Sequence, residues 1–186
     1  EYANEKQLQK PILQTPYLHV AGFKIFADGA LGSRGAFLQE AYSDRAHHVG
    51  SMLLSVDSVD VIASKIIASN YQLCTHAIGD ATNHEVLKIY GKHLVGINHR
   101  RWRIEHAQVL LANDFDMFKK YSIIPSVQPS HAMSDMAWVQ SRIGFKRLPY
   151  AYAYKTLAAQ NAWMPLGTDF PVEEINPLHT FCAAVF

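Results

Sequence analysis

One rhythm governs this chain of 186 residues: a short β-prone run, a polar or glycine-rich turn, then apolar residues at helical spacing, and again. The runs are "LHVAGFKIFADG" (18–29), "YQLCTHAIGD" (71–80), "RWRIEHAQVL" (101–110), "SIIPSVQPSHA" (122–132) and a last strand ending at Asp169. Between them Val59, Ile62, Ala63, Ile66 and Ile67 predict a helix with Asp57 at its N-cap, and Val86, Leu87, Tyr90 and Leu94 share one face of another. "ANDFDMFKKY" (112–121) predicts a third, a helical region broken near Pro149 follows, and one more helix begins beyond Pro171. Strands that alternate with helices predict a parallel sheet with helices outside it. The rhythm continues without a low-complexity linker, so residues 1–186 are expected to form one unit with no separate second domain.

Two parallel architectures compete. A doubly wound sheet gathers its ligand at one switch point and commonly marks a phosphate with G-x-G-x-x-G after its first strand; that motif is absent. A β/α barrel collects side chains from the C-terminal ends of many strands around one centre. The residues at or near the strand ends here are Lys24, His76, His106, Gln128 with His131, and Asp169. Such a series suits the barrel. Imidazoles and a carboxylate drawn from different strands are ligand types that zinc and similar divalent ions take in catalytic sites. Taken singly, each residue has a plainer role: a hydrogen-bonded structural histidine, an aspartate in the turn before Pro171, a lysine whose stem lies along apolar surface.

Bulk properties narrow the partners. Seventeen basic and 16 acidic residues leave a formal charge of +1, so no whole-chain field favours nucleic acid or an anionic membrane. A small molecule is the expected partner. Cys74 and Cys182 lie in apolar runs and read as reduced, buried thiols, which with the lack of a long apolar span or leader-like start points to the cytoplasm.

Five motifs stand in order along the chain: "KIFADGALGSRGA" (24–36), "HAIGDATN" (76–83), "RIEHAQ" (103–108), "PSVQPSHAMSDMAW" (125–138) and "GTDFPVEEINPL" (167–178). Together they resemble the amidohydrolase superfamily, and more narrowly its family 3 branch, which includes N-substituted formamide deformylases and proteins labelled exoenzyme regulatory protein. The resemblance implies a distorted (β/α)8 barrel of the TIM type. It also implies hydrolysis of amide or other non-peptide C–N bonds, with one or two divalent ions, zinc first among them.

Carried over position by position, His76 and His106 resemble the metal ligands ending strands five and six. Asp169 resembles the strand-eight aspartate that binds metal and handles the proton of the attacking water. Lys24 resembles the strand-four lysine that is carboxylated in many members. Glu105 and Asp80 are candidates to orient the histidines, and Arg34, Gln128 and His131 are candidates to hold substrate. The superfamily's His-x-His is missing; His47 and His48 are adjacent and fall in a loop.

By this count the chain holds about strands four to eight of a barrel. It is therefore expected to be the C-terminal portion of a larger hydrolase, inactive by itself and inclined to self-associate through its open edges. The competing functional reading is a regulatory or binding module derived from the same barrel without catalysis.

Overall fold

The computed structural model describes residues 15–185. Strand β1 (Gly22–Phe26) leads through a long loop to α1 (Val56–Ile67), β2 (Gln72–Ala77), α2 (Asp80–His93) and β3 (Arg103–His106). A 3-10 turn (Ala112–Asp114) opens α3 (Phe115–Lys120), followed by β4 (Ile124–Ser126), α4 (Pro129–Asp135) and α5 (Val139–Arg147). A second 3-10 turn (Leu148–Tyr150), α6 (Tyr154–Asn161) and α7 (Pro177–Val185) complete it. No helix among the described residues is long and apolar enough to cross a membrane.

The sheet runs β1-β2-β3-β4 in chain order, and every pairing is parallel. Strand order never reverses, as it must in a doubly wound sheet; this is a segment of a β/α barrel wall. Side chains alternate across it as far as Glu105. Leu73, Thr75 and Ala77 are fully buried against the helices, while the opposite face carries the rows Lys24–Cys74–Arg103 and Phe26–His76–Glu105. The helix-side core centres on Trp102 and Tyr90, whose rings meet edge to face at 4.9 Å. The Tyr90 hydroxyl is satisfied by Thr75 Oγ1 at 2.8 Å, so this fully buried phenol leaves no orphan group.

Several sequence expectations need correction. Ser55, not Asp57, caps α1: its Oγ accepts from Ser58 N at 3.2 Å, and Asp57 lies in the first turn, where an anion complements the helix dipole. The strand expected over 122–132 stops at Ser126, because Pro129 takes the opening position of α4, where a missing N–H does no harm. His131 therefore stands on a helix.

The last strand, expected to end at Asp169, contracts to a single parallel bridge between Val127 and Leu166. Val127 N donates to Pro165 O at 3.2 Å and Gly167 N to Val127 O at 2.9 Å. The next hydrogen bond in one direction needs the N–H of Pro129, and in the other the N–H of Pro165. Neither exists, so the ladder cannot lengthen. Cys182 is exposed rather than buried; Cys74 is buried as expected.

Candidate metal centre

His76 is the penultimate residue of β2 and His106 the last of β3, so both emerge at the C-terminal edge of the sheet. By simple alternation His106 would follow Ile104 toward the helices. Its backbone breaks the pattern: φ is +75° at His106 and +45° at Ala107, a left-handed conformation that costs a non-glycine residue on the order of 1–3 kcal/mol. The kink turns the imidazole to the open face, where its ring centroid lies 4.6 Å from that of His76 and 5.7 Å from that of His131.

His131 comes from the first turn of α4, and its Nε2 approaches Asp169 Oδ2 at 3.4 Å. One ligand atom from each of His106, His131 and Asp169 falls within 4.8 Å of the others; among the described residues this is the one place where three such side chains converge.

The electrostatics suit a ligand set. Burial, reinforced by His76, His131 and Lys24 and opposed by a hydrogen bond that the ring donates to the Gln128 side chain, pushes the His106 imidazole down to about 3. At neutral pH it is uncharged and keeps a lone pair to donate. Buried ring nitrogens of three histidines, Nδ1 of His76, Nδ1 of His106 and Nε2 of His131, have no hydrogen-bond partner. Orphaned polar atoms are rare in native interiors and call for an explanation; a divalent cation drawing on imidazole and carboxylate donors fits these residues. A first-row ion needs each donor at about 2.0–2.2 Å, a modest contraction from the spacing present.

His76 Nδ1 also lies 3.2 Å from Asp28 Oδ1, off the line of a proper hydrogen bond. Asp28, almost fully buried, accepts the backbone N–H groups of Ile78, Gly79 and Phe37 at 3.0, 2.9 and 3.2 Å. It is thus the carboxylate beside a histidine, a part the sequence reading gave to Glu105 and Asp80. Those two are occupied elsewhere. Glu105 pairs with Arg103 in its own strand. Asp80 accepts from Gln39 N and Ala81 N, both at 2.8 Å, at the start of α2.

The remaining sequence candidates divide. His131, expected to hold substrate, stands with His106 and Asp169 in the group of three side chains that could hold a metal ion. Gln128 is the N-cap residue of α4, is buried, and touches His106 while donating to Ser126 O at 3.2 Å. Lys24 lies on the same sheet face as His76, but it is exposed, and its Nζ sits 4.8 Å over the Phe26 ring. Arg34 is held in the long loop by a two-point hydrogen bond to Asp44, at 3.0 and 2.8 Å, which raises its pKa; Arg142 shares the same carboxylate.

A parallel barrel wall with histidines at the ends of adjacent strands and a carboxylate beyond them defines the class: a β/α barrel with a metal-type site at its C-terminal rim. The chain belongs to the amidohydrolase family, whose model matches residues 2–186. It is 35% identical over 182 residues to the protein LONG AFTER FAR-RED 3 of Arabidopsis thaliana, covering 96% of this chain and 31% of that protein. It is also 35% identical over 180 residues to the putative amidohydrolase YtcJ of Bacillus subtilis strain 168, covering 97% of this chain and 34% of the relative.

Among solved structures it superposes on an uncharacterized metal-dependent hydrolase from Pyrococcus furiosus with a TM-score of 0.85 and 29% identity, over 97% of this chain and 37% of that one. A second, from Pyrococcus horikoshii OT3, gives 0.84 and 31%, over 99% and 38%. The chain spans about a third of the length of the curated relatives it matches.

Proposed function

We propose that the protein is a metal-dependent hydrolase of amide or other non-peptide C–N bonds, with His106, His131 and Asp169 holding a divalent ion, zinc first, and His76 beside them. The observation that carries this is the convergence of the His106 and His131 imidazoles, each with a ring nitrogen that lacks a hydrogen-bond partner, on the Asp169 carboxylate. Membership of the amidohydrolase family and likeness to two metal-dependent hydrolases support it. When bound, such an ion supplies Lewis acidity toward a carbonyl and acidity toward water.

The chain's own residues do the rest. Asp169, more than a quarter of whose side chain is exposed, accepts a proton from attacking water and returns it to the leaving nitrogen, as a positioned carboxylate can. His106, neutral and desolvated, donates a lone pair without first losing a proton. Asp28 braces the turn that follows His76 and limits where that ring can go.

Elemental analysis of protein purified without chelator, beside a His106→Ala/His131→Ala variant, tests the centre. One or two equivalents of zinc or a similar ion, lost in the variant, is the expected result. Equal metal in both would remove these residues from the site. Amide hydrolysis by the protein at its full natural length, with His106→Ala as control, tests the activity; turnover unchanged by that substitution would refute the assignment.

A further inference from the structure

His131, unlike His76 and His106, does not stand on a strand of the sheet. It rides on α4, only seven residues long, and a helix that short has little stability of its own. Something else must fix it. Tyr154 Oη donates at 3.1 Å to the carbonyl of Gln128, the N-cap residue of α4. Tyr152 Oη donates at 2.5 Å to Oδ2 of Asp135, the last residue of the same helix, and receives a hydrogen bond from Gln108 Nε2 at 2.6 Å. One stretch, "AYAY" (151–154), thus grips α4 at both ends.

That stretch is in turn fastened to the strand end bearing His106. Gln108 lies two residues beyond His106, and its carbonyl accepts from Tyr152 N at 2.7 Å. Val109 bridges Ala151, and Leu110 N donates to Tyr150 O at 3.1 Å. Tyr152 holds a left-handed backbone, φ +50°, and the two tyrosine rings meet edge to face at 6.2 Å. His131 and Asp135 are four residues apart on the helix, on one face with Cβ atoms about 5–6 Å apart. A shift of the Asp135 anchor is therefore a shift of His131.

We propose that Tyr152 and Tyr154 are positioning residues of the metal centre, their hydroxyls setting His131 against His106 by holding α4 at its two ends. The proposal rests on the reading of the centre as a metal site. Asp135 and Gln108 complete the linkage without touching the ion. Burial pushes the Asp135 carboxyl up, with the Tyr152 hydrogen bond and His131 pulling it back, which agrees with a side chain used for fixing geometry.

The test is zinc affinity by competition with a chelating dye, with amide hydrogen exchange over residues 129–135. Tyr152→Phe and Tyr154→Phe each remove one hydroxyl and are expected to weaken zinc binding about tenfold, as loss of a ligand's supporting partner commonly does, and to speed exchange in α4. Asp135→Ala is expected to match Tyr152→Phe, whereas Asp135→Asn keeps an acceptor for the tyrosine and restores most of the affinity. Tyr90→Phe is the control: it removes a fully buried hydroxyl on the helix side of the sheet, so it lowers stability and leaves zinc affinity unchanged.

Wild-type affinity in both tyrosine variants, while His131→Ala abolishes binding, would overturn this proposal and leave the metal reading intact. Equal loss in Tyr90→Phe would overturn it as well, by showing that affinity merely follows stability. No zinc bound by the wild type, or binding indifferent to His131→Ala, would overturn both together.

Discussion

Asp28 offers the sharpest test of how the site is held. Its Oδ1 accepts from Ile78 N and its Oδ2 from Gly79 N and Phe37 N, joining the end of β1, the long loop and the turn after His76 through one side chain. Asp28→Ala strands these donors, and Ile78 and Gly79 are buried where water cannot replace the carboxylate. A buried unsatisfied group costs about 1–3 kcal/mol. Two of them, with partial relief at half-buried Phe37, give a loss on the order of 3–5 kcal/mol.

Asp28→Asn separates shape from chemistry. Its single carbonyl oxygen can serve Gly79 and Phe37, but its NH2 then faces the Ile78 N–H, donor against donor. About half the alanine loss, roughly 2 kcal/mol, is expected. Urea unfolding at constant slope reads both values. A loss below about 1 kcal/mol for Asp28→Ala would refute the claim that this carboxylate ties the three segments together.

Other substitutions probe different physics. Gly79 has an ordinary φ of −71°, yet a Cβ there would lie 1.9 Å from Phe37 O. Gly79→Ala should cost about 3 kcal/mol or more and lower Tm by roughly 6–12 °C; an unchanged Tm would contradict the packing. Burial raises the Asp80 carboxyl, against the pull of the backbone N–H groups of Gln39 and Ala81. Its folded pKa thus exceeds the unfolded value, the folded state binds more protons between the two, and this contribution to stability falls as pH rises through that window. Relative to wild type, Asp80→Asn should therefore gain stability as pH rises from about 4 through the raised value. Unfolding difference curves that run flat with pH would remove Asp80 as a source.

The sequence reached further into the fold than into the site. The helical faces of α1 and α2 and the apolar strands β1 to β3 followed from period alone, since burial on one side leaves that signature. Strand lengths did not, because they depend on which N–H groups a neighbouring strand finds: Pro129 and Pro165 end the ladder around Val127. The proline at 129 was itself a helix-start signal, and reading past it placed His131 on a strand instead of on α4. Asp28 was invisible as a hub because its partners lie 9, 50 and 51 residues away. The links from Tyr152 and Tyr154 to α4 span 17 and 26 residues and depend on tertiary placement. His106 and Asp169 were singled out as strand-end residues, whereas the φ of +75° that turns His106 to the open face is a property of the folded backbone.

The proline-limited bridge at Val127 bears on mechanics. His106 belongs to a strand laddered on both sides, while the segment leading to Asp169 meets the sheet at a single bridge of two hydrogen bonds. The centre therefore resembles a vice with a fixed imidazole jaw and a carboxylate jaw on a softer spring. On the proposed reading of the centre, ions of different radius would be accommodated by travel of Asp169, with His106 left almost unmoved.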